Sequence, residues 1–107
     1  MIKSFKCKET QNLCATGESW KFKTIERGAL RKLDMLEAVV KLDSLRIPPG
    51  NHFEALHGDR AGQYSIRINK KWRICFTWDD GNVYNVEIVD YHEGESYDQN
   101  KKPDSSG

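Results

Sequence analysis

The sequence predicts an α+β domain, with two N-terminal helices packed on one face of a mainly antiparallel sheet of four to five strands. Three observations predict it. Apolar and polar residues alternate strictly over residues 64–69 and again over 72–78, with Asn69-Lys70-Lys71 between them, the pattern of a hairpin with one buried face. A third alternating run, residues 83–91, follows the turn Asp79-Asp80-Gly81-Asn82. Ahead of these, apolar residues recur at helical spacing over residues 29–45.

Taken in order, residues 1–6 alternate and form a short strand, with lysines suited to a sheet edge. Residues 7–15 form a weak helix anchored by Leu13 and Cys14 and ended at Thr16-Gly17. Residues 18–23 read equally as a strand or as a linker that buries both Trp20 and Phe22. Thr24 is a suitable N-cap for the long helix, whose Leu30, Leu33, Leu36, Val39 or Val40, and Leu42 face the sheet. Pro48-Pro49-Gly50-Asn51 stops that helix. Residues 53–56 make a short strand, and residues 57–62 a polar turn with two glycines. In the last strand Tyr84, Val86 and Ile88 share one face, and Asn85, Glu87 and Val89 the other. Residues 1–92 make one domain, and residues 93–107 hold so little to bury that a flexible polar tail is expected.

Several classes of protein fall away on composition. No run approaches the roughly 18 apolar residues of a membrane span, and the N-terminal lysines precede no apolar signal segment. A cytoplasmic protein without membrane contact is expected. The three cysteines, Cys7, Cys14 and Cys75, form no C-x-x-C pair, so a disulfide framework is not expected. His52, His57 and His92 are not at metal-ligand spacing, so neither metal nor cofactor is expected. The net charge of +1 conceals an uneven distribution. Arg60, Arg67, Lys70, Lys71 and Arg73 meet only Asp59 in residues 57–78, whereas residues 79–100 contain acids and no Lys or Arg. A basic patch of that kind can hold phosphates.

If the apolar set of the hairpin faces the helices, Arg67 and Arg73 both point to the opposite, open face. His57 and Arg60 precede the first hairpin strand, and Asp90, Tyr91 and His92 close the last strand beside the one holding Arg73. These residues suit RNA cleavage by the RNA's own 2′-hydroxyl. Histidine can act as acid or base near neutral pH. Arginine is always charged and can meet two phosphate oxygens at once. Tyrosine can stack on a base or pass a proton. The plainer reading is also open: Arg67 and Arg73 neutralise Asp90 or Glu87 across strands, Asp90 fixes a strand end, and Tyr91 is core.

The stretch at residues 1–5 (M-I-K-S-F), that at 56–69 (L-H-G-D-R-A-G-Q-Y-S-I-R-I-N), W-R-I-C-F from Trp72, and E-I-V-D-Y-H ending at His92 resemble the HigB branch of the RelE/ParE toxin superfamily, also called plasmid maintenance system killer proteins. The resemblance runs from residue 1 to about residue 92. It implies a RelE-like fold with a curved sheet, and a toxin of a type II toxin–antitoxin pair acting as an mRNA endonuclease, usually on the ribosome. The implied partner is a helix-turn-helix antitoxin, with operator DNA met only through the complex. By position, Arg73 would stabilise the phosphate, and Asp90, Tyr91 and His92 would complete the site with His92 as proton carrier. Arg60 and Arg67 would hold RNA backbone or support the fold, and Lys70 and Lys71 extend the basic patch. His57 stands where the family often has lysine, so two histidines would serve as acid and base, or the site is weak. Other readings are a decayed toxin that acts only as an antitoxin-bound co-repressor, and a gyrase poison of the kind found among relatives, which would need no proton-transfer groups.

Overall fold

A computed structural model describes residues 1–90 of the chain. Helix α1 (Lys8–Thr16) buries Thr10 and Leu13 and closes on Gly17, whose φ of 81° lets its N–H reach the Leu13 carbonyl at 2.8 Å. Helix α2 (Glu26–Ala38) buries Ala29, Leu33 and Leu36. It is shorter than the expected span and does not start on a Thr24 cap. A 3₁₀ turn, Lys23–Ile25, precedes it, and Ile25 caps it with no side-chain hydrogen bond. The Glu26 carboxylate instead accepts the N–H of Ser19 at 3.0 Å. At the far end Val39 is extended (ψ 139°) and buried. Two consecutive β-branched residues, Val39 and Val40, are weak helix formers. The chain then turns so that a separate 3₁₀ turn, Leu42–Arg46, buries Leu45.

Four strands follow, β1 (Glu54–Ala55), β2 (Tyr64–Arg67), β3 (Trp72–Asp79) and β4 (Asn82–Asp90), in the antiparallel order β1-β2-β3-β4. The expected α+β architecture, helices on one face of an antiparallel sheet, is therefore present. Asp80 (φ 50°) and Gly81 (φ 82°) form the two-residue turn that joins β3 to β4. Positive φ at both positions matches the natural twist of a hairpin, hence the Asp-Gly pair. Residues 1–6 do not make a full strand. They touch β4 in parallel at Ile2↔Val83 and Phe5↔Val86. Farther along, Thr10 Oγ1 accepts the N–H of Ile88 at 3.1 Å.

One register step corrects the sequence reading. Thr77 faces Tyr84, but Cys75 faces Glu87, so β4 carries an extra residue there. Asn85 takes φ 56° at this bulge. The face therefore switches: Val83, Val86 and Ile88 are buried in the core, while Tyr84 lies opposite Thr77 on the outer face. Trp20 and Phe22 also separate. Phe22 is buried and meets the Trp72 ring edge-on at 5.5 Å, whereas Trp20 is 85% exposed.

The core lies between α2, Leu13 and Leu45 on one side and Ile66, Ile74, Phe76, Val86 and Ile88 on the other. Leu33 is 1% exposed at its centre. Leu33→Ala is expected to lower unfolding free energy by about 2–5 kcal/mol, from lost burial plus the cavity left behind, as read by urea titration.

Candidate active site

Alternation along β2, β3 and β4 sends Ser65, Arg67, Arg73, Cys75, Glu87 and Val89 to the face away from the helices. Register then pairs them: Ser65 with Cys75, Arg67 with Arg73, Arg73 with Val89, and Cys75 with Glu87. Arg67 and Arg73 thus share the outer face, as the alternation predicts. That face is not open at Arg73, however, which is only 5% exposed.

The cover is the loop entering β1. Asn51 is fully buried, its amide donating to the Leu45 carbonyl at 3.0 Å while its Oδ1 accepts Lys32 Nζ at 2.5 Å. Burial, with Arg31 nearby, pushes the Lys32 pKa below the usual lysine value. His52 follows with φ 44°, and its carbonyl accepts a hydrogen bond from Arg73 Nη2. Ser65 Oγ accepts from Arg73 Nε at 2.8 Å, the Ser65 carbonyl lies 3.4 Å from Nη2, and Glu54 Oε1 is 3.7 Å away. A buried guanidinium needs such acceptors, because desolvation without them is costly. The imidazole of His52 turns outward, with Nε2 3.2 Å from Arg67 Nη1.

Arg60 joins the same face from the 3₁₀ turn Gly58–Arg60. Its Nη1 donates to Gln63 Oε1 and Glu87 Oε2, both at 3.0 Å, and Lys6 Nζ lies 3.6 Å from the same Glu87 oxygen. Cys75 sits beneath this network. Burial pushes its pKa up to about 11, with Glu87 and Glu54 adding to the shift and Arg60 and Arg73 opposing it, so the thiol keeps its proton at neutral pH.

The remaining expected site residues lie farther out. His57 is exposed at the start of the Arg60 turn, its carbonyl accepting the Arg60 N–H at 3.2 Å. Lys70 and Lys71 are exposed in the β2–β3 turn, and Lys71 Nζ is 3.8 Å from Asp90 Oδ2. Asp90 pairs with Trp72 and so projects from the helix-covered face, while Val89 stands across from Arg73. The cross-strand neutralisation considered for the arginines takes another form: Glu54 serves Arg73, and Glu87 serves Arg60. Tyr91, His92 and residues 93–107 lie outside the described residues. Among the described residues no group of three His, Cys, Asp or Glu is placed to hold a metal ion, and no helix is long and apolar enough to cross a membrane.

Three contributors were not singled out from the sequence. Ser65 was legible, because alternation puts its hydroxyl on the arginine face. His52 and Glu54 follow a Pro-Gly loop with no periodicity to orient them.

Two helices on one face of an antiparallel sheet make this a RelE-like fold. A family model described as the RelE-like toxin of type II toxin–antitoxin system HigB matches residues 4–92, and the chain belongs to that family. It is 48% identical to Toxin HigB-1 of Vibrio cholerae serotype O1 over 65 residues, which are 61% of this chain and 68% of that protein. Over 37 residues, 35% of this chain and 40% of the other, it is 43% identical to Endoribonuclease HigB of Proteus vulgaris. Among solved structures, YafQ from E. coli strain BL21(DE3) superposes with a TM-score of 0.58 at 13% identity, covering 87% of this chain and 94% of that one, a likeness of fold.

Ser65→Ala removes the hydroxyl from buried Arg73 Nε. The expected loss is about 1–3 kcal/mol of stability, measured by chemical denaturation, because a charged donor is left without its acceptor.

Proposed function

We propose that the chain is a metal-independent endoribonuclease that cuts messenger RNA on the ribosome, by attack of the RNA's own 2′-hydroxyl. The products are a 2′,3′-cyclic phosphate and a 5′-hydroxyl. The observation that carries this reading is the direct pairing of Arg67 with Arg73 on one sheet face. Like charges directly across a strand pair are unfavourable by themselves. A phosphate held at the exposed side of the pair offsets that repulsion, and guanidinium groups are shaped to bind its oxygens.

In this reading Arg73 meets the charge that builds on the phosphorus oxygens. His92 carries a proton, supported by Tyr91 and Asp90, and His57 supplies a second titratable group. Arg60, Arg67, Lys70 and Lys71 line the path of the RNA backbone. Support for the C-terminal part comes from the family match, which extends to residue 92. The name of the Proteus vulgaris relative supports the choice of RNA cleavage. Histidine and arginine side chains supply base, acid and charge stabilisation between them, so the scheme needs no metal-bound water. Action is in the cytoplasm, where a helix-turn-helix antitoxin neutralises the toxin and the pair represses its own operon.

Purified protein added to translating ribosomes should cut the message, with Arg73→Ala combined with His92→Ala abolishing the cuts. Equal cleavage by wild type and double variant would overturn the reading. Arg67→Thr should behave oppositely in two assays. Relief of like-charge pairing should raise stability by about 0.2–1 kcal/mol in denaturant titration, while affinity for RNA falls.

A further inference from the structure

The groups named so far as proton carriers come from the sequence. The structure brings a different imidazole to the arginine pair. We propose that His52 is the general base that takes the proton from the 2′-hydroxyl, an assignment that rests on the RNA-cleavage reading above.

Three observations carry it. First, His52 is the residue on which both arginines meet: Arg67 Nη1 lies 3.2 Å from its Nε2, and Arg73 Nη2 donates to its carbonyl. Second, its backbone is fixed rather than trailing. The fully buried Asn51 beside it is tied to the Leu45 carbonyl and to Lys32, and the His52 N–H donates to the Pro49 carbonyl at 3.0 Å. Third, its side chain is exposed and so reachable by a polymer laid across the face.

The contact with Arg67 engages the ring nitrogen that would act as base. A guanidinium only donates, so the Nε2 facing Arg67 must offer its lone pair. Arg67 from β2 faces the imidazole, Arg73 from β3 donates to the His52 carbonyl, and Glu54 from β1 lies beside Arg73.

A bound phosphate competes with His52 for Arg67. When Nη1 turns to a phosphate oxygen, the Nε2 lone pair is released beside the nucleophile. Nε2 then takes the 2′-hydroxyl proton as the O2′–P bond forms. The P–O5′ bond breaks with its electron pair on O5′, and O5′ takes a proton from the acid, His92 in the reading above. His52 is left as imidazolium, and the products are the cyclic phosphate and the 5′-hydroxyl. Substrate binding thus frees the base it needs, and in the unoccupied protein the lone pair stays engaged by Arg67.

The test uses the full chain and a defined message on programmed ribosomes. His52→Gln keeps an acceptor for Arg67 but cannot take the proton. It should fold with an unchanged thermal midpoint and bind with unchanged KM, while kcat falls about 100-fold or more and the acid limb of its pH profile flattens. His52→Gly suits the φ of 44° and leaves room for added imidazole, which should restore cleavage. A purely structural role would not be rescued in this way. Turnover of His52→Gln within about threefold of wild type, or no imidazole rescue of His52→Gly, would overturn the assignment if Arg73→Ala is inactive. Full cleavage by Arg73→Ala and His92→Ala would instead bring down the nuclease reading, and His52 with it.

Discussion

Burying a guanidinium sets terms that the surrounding chain must meet. Arg73 is 5% exposed, and its nitrogens must find acceptors inside the protein. Strand β2 supplies the Ser65 hydroxyl and carbonyl. The His52 carbonyl comes from the opposite side, which requires the loop before β1 to fold back over the sheet. That loop is held by Asn51, and Asn51 is held by Lys32 on α2. A chain of contacts therefore runs from the helix layer, around the sheet, to the arginine on its far face. The core fixes where the sheet lies, and this chain of contacts fixes how the outer face is furnished.

The same face shows a local departure from the most stable arrangement. Arg67 opposite Arg73 is a pairing that stability alone would not favour. Acidic groups offset only part of the repulsion: Glu87 is engaged with Arg60 and Lys6, and Glu54 is 3.7 Å from Arg73. Conflicts of this kind between local preference and overall fold tend to concentrate where a site binds something. Cys75, buried beneath the cluster with its proton retained, contributes packing to the face without adding a charge.

Much of this was written in the alternation of residues 64–78. It gave the hairpin, the core face and the shared side of Arg67 and Arg73, because a strand's period of two leaves little freedom once one face is apolar. The Asp80-Gly81 turn was equally legible, since few residue pairs accept two positive φ values. The reading of Tyr84 failed because one bulged residue reverses the parity of everything beyond it, and Asn85 carries no mark that would separate it from an ordinary exposed strand residue. The end of α2 was missed because Val39 and Leu42 keep an apolar rhythm after the helix has stopped. The cover over Arg73 was beyond reach of pattern reading. Its residues follow two prolines and a glycine, and their positions depend on a buried asparagine whose partners are distant in sequence.

The two flanks of the sheet differ in a way that bears on the company the protein can keep. Residues 1–6 and Thr10 lie along the outer side of β4 and occupy part of its backbone groups. At the other flank β1 is only two residues long. A sheet bordered in this manner gives a second copy little ladder to extend, and short or covered borders are how small proteins avoid running together into fibrils. Association through these borders is thereby discouraged.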